Sequence, residues 1–456
     1  MSTTRVMFLN HSSVIIRFEN EYLWCDPWFE KPAFGSWLPT FPLFSHPVYI
    51  ASLEKKLSLL ISHGHDDHCD DDLLQLLDNN TPVISSDFSS PSVKNRVKKL
   101  GFNQYHAASE SGVQVGPFFV KSFRNEDISE DDAAYLIKTK DAVIIHCNDN
   151  WFPMSENHIA QIKKEIADVG EKNVLFMSQT NSASGFPLNY TSFSPQEKAE
   201  ILKKKVHSMI AAGLNNAAKI GAPYFHSYAG YASVFVKGKD EYLSQSIFPT
   251  AHYIKTEMAS QIPPGLEVLD FYPGDVFDFK RVQRSFYSGN YTDEALKKYS
   301  SKFYNLYGHV NKCDTYNLDA APANKEMINA KLDFFLGKFD EFVKGKNAAS
   351  DYYSSITGKT LKITVPDCDL AVSLKFGSGI TTEKNFNKEI IVNSNLLLKV
   401  LNGEILFENL YTGYNAEFNR VPKDVYNKDI VMFIVMFSYV YRNRIIPSLR
   451  TSNHEI

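Results

Sequence analysis

The sequence predicts an α/β protein: a four-layer αββα sandwich over residues 1–285, followed by a smaller α+β domain over 286–456. Three observations carry that reading. Short β-rich segments fill the first third, strand and helix patterns alternate after it, and a helix–hairpin–helix texture begins beyond about residue 285. A chain of 456 residues also exceeds one ordinary domain and suits two, each able to bury its own core.

Val6–Leu9, Ser13–Phe18 and Tyr22–Cys25 read as consecutive strands, and Asp26-Pro27 turns the chain. Pro32, Pro39, Pro42 and Pro47 punctuate an aromatic-rich loop. Leu57–Ser62 is a compact apolar strand. Asp71–Leu77 and Pro91–Leu100 look helical, and Pro82–Ser85 looks extended. Val113–Phe123, Ala134–Lys138, Ala142–His146 and Val174–Ser178 follow as strands. Ser194-Pro195-Gln196-Glu197 opens a helix with Ser as N-cap, Pro in the first turn and Glu reaching back, and the helix is expected to run to about Ala212. Pro263-Pro264-Gly265 and Pro273-Gly274 mark turns before the boundary near 285.

In the second domain, Ile328, Leu332, Phe335, Phe339 and Phe342 recur at spacings of four and three, an amphipathic helix. Leu361, Ile363 and Val365 alternate with polar residues, Pro366-Asp367 turns, and Leu370, Val372, Leu374 and Phe376 return as a hairpin. Ser394 is placed to cap a helix through Val400 that Asn402-Gly403 ends. The 12-residue apolar run Ile430–Tyr441 is too short to span a bilayer and reads as a buried helix. No internal repeat or low-complexity tract is visible.

Composition is that of a soluble globular protein, with 44% hydrophobic and 22% charged residues. A net charge of −4 and a pI near 6.4 provide no global basic field for a nucleic-acid backbone. The five cysteines (Cys25, Cys69, Cys147, Cys313, Cys368) are scattered, odd in number and never in a CxxC pair, which fits reduced thiols in a cytoplasm. The N-terminus lacks the basic start and sustained apolar run of a signal peptide, so no membrane association is expected.

The chemistry concentrates in Ile61-Ser62-His63-Gly64-His65-Asp66-Asp67-His68. Three of the 13 histidines fall within six residues, directly after an apolar strand. His63 and His65, two apart at a strand end, project to one side, and Asp67 and His68 enter from the following turn toward a second nearby metal. Imidazoles suit zinc or iron, and added carboxylates favour harder or redox-active ions. A bridging carboxylate is expected from elsewhere, and Asp149, just past the strand Ala142–His146, is placed to supply it. An ordinary Asx turn is its plain alternative. His146 is a weaker metal candidate. Asp26 is either a carboxylate orienting a metal-bound imidazole or a simple turn residue. Asn10-His11-Ser12, between the first two strands, is a weak further candidate for approaching the site.

The H-x-H-x-D-H spacing resembles the signature of the metallo-β-lactamase superfamily. Within it the chain is similar to the catalytic part of the CMP-N-acetylneuraminate hydroxylases. Asp26-Pro27-Trp28, Pro32-Ala33-Phe34, Ser62 to His68, Ala183-Ser184-Gly185-Phe186-Pro187, Ala229-Gly230-Tyr231, Tyr272-Pro273-Gly274 and Asn402 to Tyr414 carry that resemblance in order along the chain. It implies further ligands at two places. Where another histidine is usual, this chain has Asn125-Glu126-Asp127-Ile128-Ser129-Glu130-Asp131-Asp132, so Glu126 or Asp127 would substitute; an exposed acidic loop is the alternative. Near the last expected ligand stands His226. Such hydroxylases also carry a Rieske cluster, and this chain has no paired Cys-x-His and Cys-x-x-His ligands to hold one.

The resemblance implies an iron-dependent hydroxylase of a sugar-nucleotide-like or other polar anionic small molecule. Its electrons would come from a separate ferredoxin- or Rieske-type protein. The alternative is a binuclear metallohydrolase, with zinc as the other metal, acting on a phosphoester or lactone with Asp67 and Asp149 as catalytic carboxylates. A non-catalytic metal-binding module is a third reading, disfavoured by the intact set of His63, His65, Asp67, His68 and Asp149. Substrate contacts are expected from Ser184 and Gly185, from Tyr228 and Tyr231, and from Trp28. Trp28, Phe34 and Trp37 could stack on a base or ring, with core or loop packing the plainer reading of each singly.

Overall fold

The computed structural model describes residues 3–29, 31–40, 56–126, 131–149, 154–182, 184–284, 292–314, 316, 318–345 and 357–425. The apolar run Ile430–Tyr441, the proposed boundary at 285, Pro42, Pro47, Asp127–Glu130 and Ala183 lie outside the described residues.

β1 (Arg5–Asn10), β2 (Ser13–Phe18) and β3 (Glu21–Cys25) form an antiparallel meander. β4 (Trp37–Pro39) leaves it. β5 (Leu57–Leu60) then adds parallel to β3, followed by β6 (Val83–Ser86) and β7 (Tyr105–Ala108), also parallel. Helices α1 (Asp71–Leu74) and α2 (Ser92–Lys99) make the crossovers. β8 (Val113–Val115), β9 (Phe118–Glu126), β10 (Asp131–Lys138) and β11 (Val143–His146) run antiparallel in a second sheet. After α3 (Glu156–Val169), β12 (Val174–Gln179) joins β11 in parallel. After α4 (Pro195–Ile220), β13 (Tyr224–Tyr228) joins β12. β14 (Ala232–Val234) pairs with β4, β15 (Glu267–Val268) extends the second sheet, and β16 (Val276–Phe277) with β17 (Val282–Gln283) returns to the first beside β1.

The strands are nearly continuous runs of apolar residues because both faces of each sheet are covered. Side-chain alternation then sorts them. Leu23, Cys25 and Leu60 from the first sheet meet Tyr135, Ile137, Ile144, Leu175 and Met177 from the second in the inner layer. Trp24, Leu59 and Ile61 face outward onto Leu73, Leu74, Val93 and Val97 of α1 and α2. Val143, Ile145, Val174 and Phe176 face outward onto Ile162, Ile166, Val206 and Ile210 of α3 and α4. The layers are therefore helix, sheet, sheet, helix, as the sequence predicts. At about 1.5–3 kcal/mol per fully buried large apolar side chain, these interfaces outweigh the surface ion pairs.

The later residues build a second sheet system from β18 (Thr360–Val365), β19 (Leu370–Lys375), β20 (Gly379–Thr381), β21 (Lys388–Ile391) and β22 (Glu417–Arg420). Helices α5 (Lys325–Gly345) and α6 (Ser394–Asn402) pack on it through Ile328, Leu332, Leu397 and Leu401. Tyr190 and Phe193 from the sandwich join this core, and Ser36 Oγ and Trp37 Nε1 donate to Gly413 O and Thr412 O at 2.5 and 2.9 Å.

Several element ends differ from expectation for local reasons. The helix from Ser194 has its capping box but runs past Ala212 to Ile220, because Gly213, Leu214 and Ala217 pack tightly inside. Regular helix after Asp70 stops at Leu74, and Gly116 (φ +53°) breaks the Val113–Phe123 stretch into two strands. Asn393, not Ser394, is the N-cap of α6; the Ser394 hydroxyl donates instead to the Asp367 carboxylate at 2.6 Å. Gly403 ends that helix at φ +77°.

Candidate metal centre

β5 ends at Leu60, and the motif follows at the edge where the parallel strands β3, β5 and β6 finish. His68 N and Cys69 N both hydrogen-bond to His65 O, at 3.1 and 2.9 Å, so the chain doubles back and brings Asp67 and His68 beside His63. Arg96 of α2 clamps this turn from outside, donating to Gly64 O, Cys69 O, Asp66 Oδ1 and Asp71 Oδ1 at 2.6–3.0 Å. Asp66 is thereby held outward, while Asp67 is fully buried.

Across the sandwich, β11 delivers Asn148 and Asp149. Asp149 Oδ1 lies 3.4 Å from His68 Nε2, and Asp67 Oδ2 lies 3.6 Å from the same nitrogen. His63 Nε2 and His65 Nδ1 face each other at 2.8 Å. The hairpin between β1 and β2 adds His11, whose Nε2 is 3.1 Å from Asp67 Oδ2. Two donor groups result: His63, His65 and Asp149, and His11, His68 and Asp149, each with its ligand atoms within 4.8 Å of one another. Asp149 belongs to both.

Asp26 organises the layer behind. Its Oδ1 accepts from Ser62 N at 2.8 Å; its Oδ2 faces Ser62 Oγ at 2.8 Å, His68 Nδ1 at 2.8 Å and His146 Nε2 at 3.1 Å. Burial alone would raise the Asp26 pKa, but the charges and hydrogen bonds of His68 and His146 outweigh it and hold the carboxyl far below its usual range. An ionised Asp26 is acceptor-only, so His68 donates to it from Nδ1, which leaves Nε2, facing Asp67 and Asp149, as the nitrogen a metal would take.

His146 is occupied differently. Its Nε2 donates to Asp26 and its Nδ1 contacts the Tyr228 hydroxyl at 2.8 Å, which itself accepts Asn148 N–H at 2.5 Å. Both ring nitrogens are engaged, so the structure makes His146 a support for Asp26 rather than an open donor. Tyr228, expected at substrate, is fully buried in the same chain of contacts.

The electrostatics and the polar accounting fit a bound metal. Burial raises the carboxyl pKa of Asp67 and of Asp149, but the neighbouring His68 and His11 together outweigh it and both are lowered. His63 is pushed down by burial, then by His68 and His65. Among the described residues, Asp67 Oδ1, His68 Nε2, His11 Nδ1 and Asp149 Oδ1 are buried without a hydrogen-bond partner, while Asp67 Oδ2 and His11 Nε2 have only each other at 3.1 Å. Buried polar atoms are rarely orphaned, and these converge on one place. His11, Asp26, Asn148 and Ala229 also hold left-handed φ values of +38 to +49°, strained for side-chain-bearing residues, and Ala229 N–H donates to His11 O at 2.8 Å.

Other expected residues are placed elsewhere. His226 is packed between Phe8 and Phe271, with ring centres 4.6 and 4.8 Å away, and burial lowers its pKa to about 3. It belongs to neither donor group. Glu126 ends β9 opposite Asp131. From the same acidic stretch Asp132 reaches inward, its Oδ1 3.8 Å from His63 Nδ1. Trp28 is fully buried, with its indole N–H bonded to Lys31 O at 2.8 Å, and Tyr231 is buried against Phe8. Gly185 is needed for packing: a Cβ there would lie 2.3 Å from Tyr411 O. A cleft opens beside His11, lined also by Trp37, Asn181, Ser182, Ser184 and Tyr414, so both sheet systems contribute to its wall. His11 and Asp132 were the residues hardest to assign from sequence, because only contacts across the sandwich bring them in.

No family model matches the chain. Over 308 residues, 61% of this chain, it is 22% identical to the cytidine monophosphate-N-acetylneuraminic acid hydroxylase of Asterias rubens, of which the match covers 42%. Over 108 residues, 24% of this chain, it is 31% identical to a Mycobacterium tuberculosis protein named as a Rieske 2Fe-2S iron–sulfur protein, of which it covers 20%. The chain thus spans less than half the length of either relative. Among solved structures, the diiron β-hydroxylase of Streptomyces venezuelae matches with TM-score 0.36 and 13% identity over 50% of this chain and 45% of that one. A metallo-β-lactamase fold protein of Bacillus subtilis matches with TM-score 0.36 and 13% identity over 61% and 99%. The four layers, with the histidine motif following β5, are those of the metallo-β-lactamase fold.

Proposed function

We propose that this chain is a metal-dependent hydroxylase that uses two iron ions, held by His63, His65 and Asp149 and by Asp67, His68, His11 and Asp149, to hydroxylate a polar anionic small molecule. The observation that carries the reading is the placement of Asp149 in both donor groups, among buried ligand atoms of which Asp67 Oδ1, His68 Nε2, His11 Nδ1 and Asp149 Oδ1 have no hydrogen-bond partner among the described residues. A mixed imidazole and carboxylate set without thiolate suits iron, and the 308-residue likeness to a hydroxylase supports the reaction class.

Bound iron supplies dioxygen activation, which needs two electrons and two protons from outside for each substrate C–H converted to C–OH, with one water released. A separate ferredoxin- or Rieske-type protein is the electron source. The chain's own residues bind and orient. Asp26 fixes the His68 tautomer, Arg96 holds the motif turn rigid, and Trp37, Ser182, Ser184 and Tyr414 shape the cleft in which substrate sits against His11. The buried walls Trp28 and Phe34 exclude water.

Hydrolysis of a phosphoester or lactone is the second reading, favoured by one observation. Asp67 Oδ1 lacks a hydrogen-bond partner among the described residues, so this carboxylate is able to orient an attacking water. The deciding experiment supplies growing cells with iron and zinc, measures metal per purified chain, and follows dioxygen uptake with reduced ferredoxin. About two irons with donor-dependent uptake supports the hydroxylase. Zinc with ester or lactone cleavage, and no uptake by the iron-loaded protein, overturns it.

A further inference from the structure

Where the sandwich meets the later sheet, three cations converge away from the metal centre. Lys388 of β21 stands directly across from Arg420 of β22, and only 5% and 9% of these residues are exposed. Lys205 of α4 approaches from the sandwich side. The Arg420 guanidinium carbon is 4.3 Å from the ring centre of Phe186 and 5.6 Å from that of Tyr190. Lys388 Nζ lies 5.4 Å from the Phe418 ring and 5.5 Å from the Tyr411 ring, and Lys205 Nζ lies 5.7 Å from the Phe186 ring.

Among the described residues no carboxylate pairs with any of the three cations. The adjacent charged positions on the same strands do pair, Glu389 with Lys362 and Glu417 with Lys239. Like charges directly opposite on neighbouring strands repel, and burial removes the water that would screen them. Burial, and then Arg420, pull Lys388 down to about 7 and Lys205 down to about 8. Ring faces offset part of the lost hydration but bring no negative charge.

We propose that Lys205, Lys388 and Arg420 form a binding site for a phosphate-type oxyanion at the junction of the two sheet systems. A planar guanidinium and two point-charge ammonium groups suit a multivalent oxyanion, whose charge removes their mutual repulsion. The site is independent of the metal reading. It lies behind one wall of the cleft: Ser184, which lines the cleft, donates through Oγ to the Tyr411 hydroxyl at 2.9 Å.

The test measures binding of inorganic phosphate, and separately of phenyl phosphate, by calorimetry and by thermal shift. The proteins compared are the wild type, Lys388→Met, Lys205→Gln and Asp149→Ala. Wild type should bind and gain several degrees of Tm at saturating anion. Lys388→Met should weaken binding by about tenfold or more, as expected for one lost charge-assisted contact, with metal content unchanged. Lys205→Gln, at the partly exposed rim, should weaken it as well, and stands in should Lys388→Met not fold. Asp149→Ala should bind as wild type does. Binding of inorganic phosphate assigns a free ion, and binding of the ester alone assigns a phosphate carried on an organic ligand. Absence of binding by both probes, unchanged affinity in the lysine variants, or loss of binding in Asp149→Ala would overturn the proposal.

Discussion

Replacing Asp26 by Asn tests the centre through a residue that touches no metal. The wild-type carboxylate receives four contacts, from Ser62 N–H, Ser62 Oγ, His68 Nδ1 and His146 Nε2. The amide offers one oxygen and one NH2. With the NH2 toward His68, two donors oppose each other, and His68 relieves this only by moving its proton to Nε2, the nitrogen aimed at Asp67 and Asp149. With the amide flipped, the NH2 opposes the Ser62 backbone N–H, which has no alternative form. Either way the ligand face of His68 is compromised. Losing such a support costs metal affinity about 10- to 100-fold, roughly 1.4–2.8 kcal/mol. The assay is competition between the protein and a chromophoric chelator for zinc or cobalt, beside circular dichroism to confirm the fold. A folded Asp26→Asn protein with wild-type metal affinity would refute the reasoning.

Further outcomes follow from the structure. Asp149→Ala should drop metal from about two ions to fewer than one per chain, since both donor groups lose a member; retention of two would remove the bridging assignment. His11→Ala should lower metal content by elemental analysis, whereas His226→Leu should leave it unchanged and keep or raise stability, because a buried Nε2 without a partner is removed. Arg96→Met should cost about 2–4 kcal/mol in denaturant unfolding, by leaving buried motif acceptors unpaired; a loss below about 0.5 kcal/mol contradicts the clamp. Without added phosphate, stability should rise with pH from about 7 toward 10. Folded Lys388, faced by Arg420 and by the Tyr190, Tyr411 and Phe418 rings, releases its proton near 7, while the unfolded chain keeps it to about 10.5. That group contributes about 1.4 kcal/mol per pH unit across the window, and Lys388→Met should flatten the slope in denaturant titrations.

By itself the sequence determined the layers and the core of the motif. Continuous apolar strands report sheets covered on both faces, and Ser194, Gly403 and the hairpin at Pro366 act through local backbone chemistry that needs no distant partner. His63, His65, Asp67 and His68 were legible because six consecutive residues after one strand bring them together. Tertiary structure alone decided the rest. His11 and Asp149 meet only because the two sheets face each other, Asp132 arrives from a third strand, and His226 turns into an aromatic layer instead of the cleft. His146 and Asp149, three residues apart, take opposite tasks because one strand end points its histidine back to Asp26 while the following turn points its carboxylate forward. Periodicity reports which face a residue occupies; it carries no information on which donor, carboxylate or ring waits across the interface.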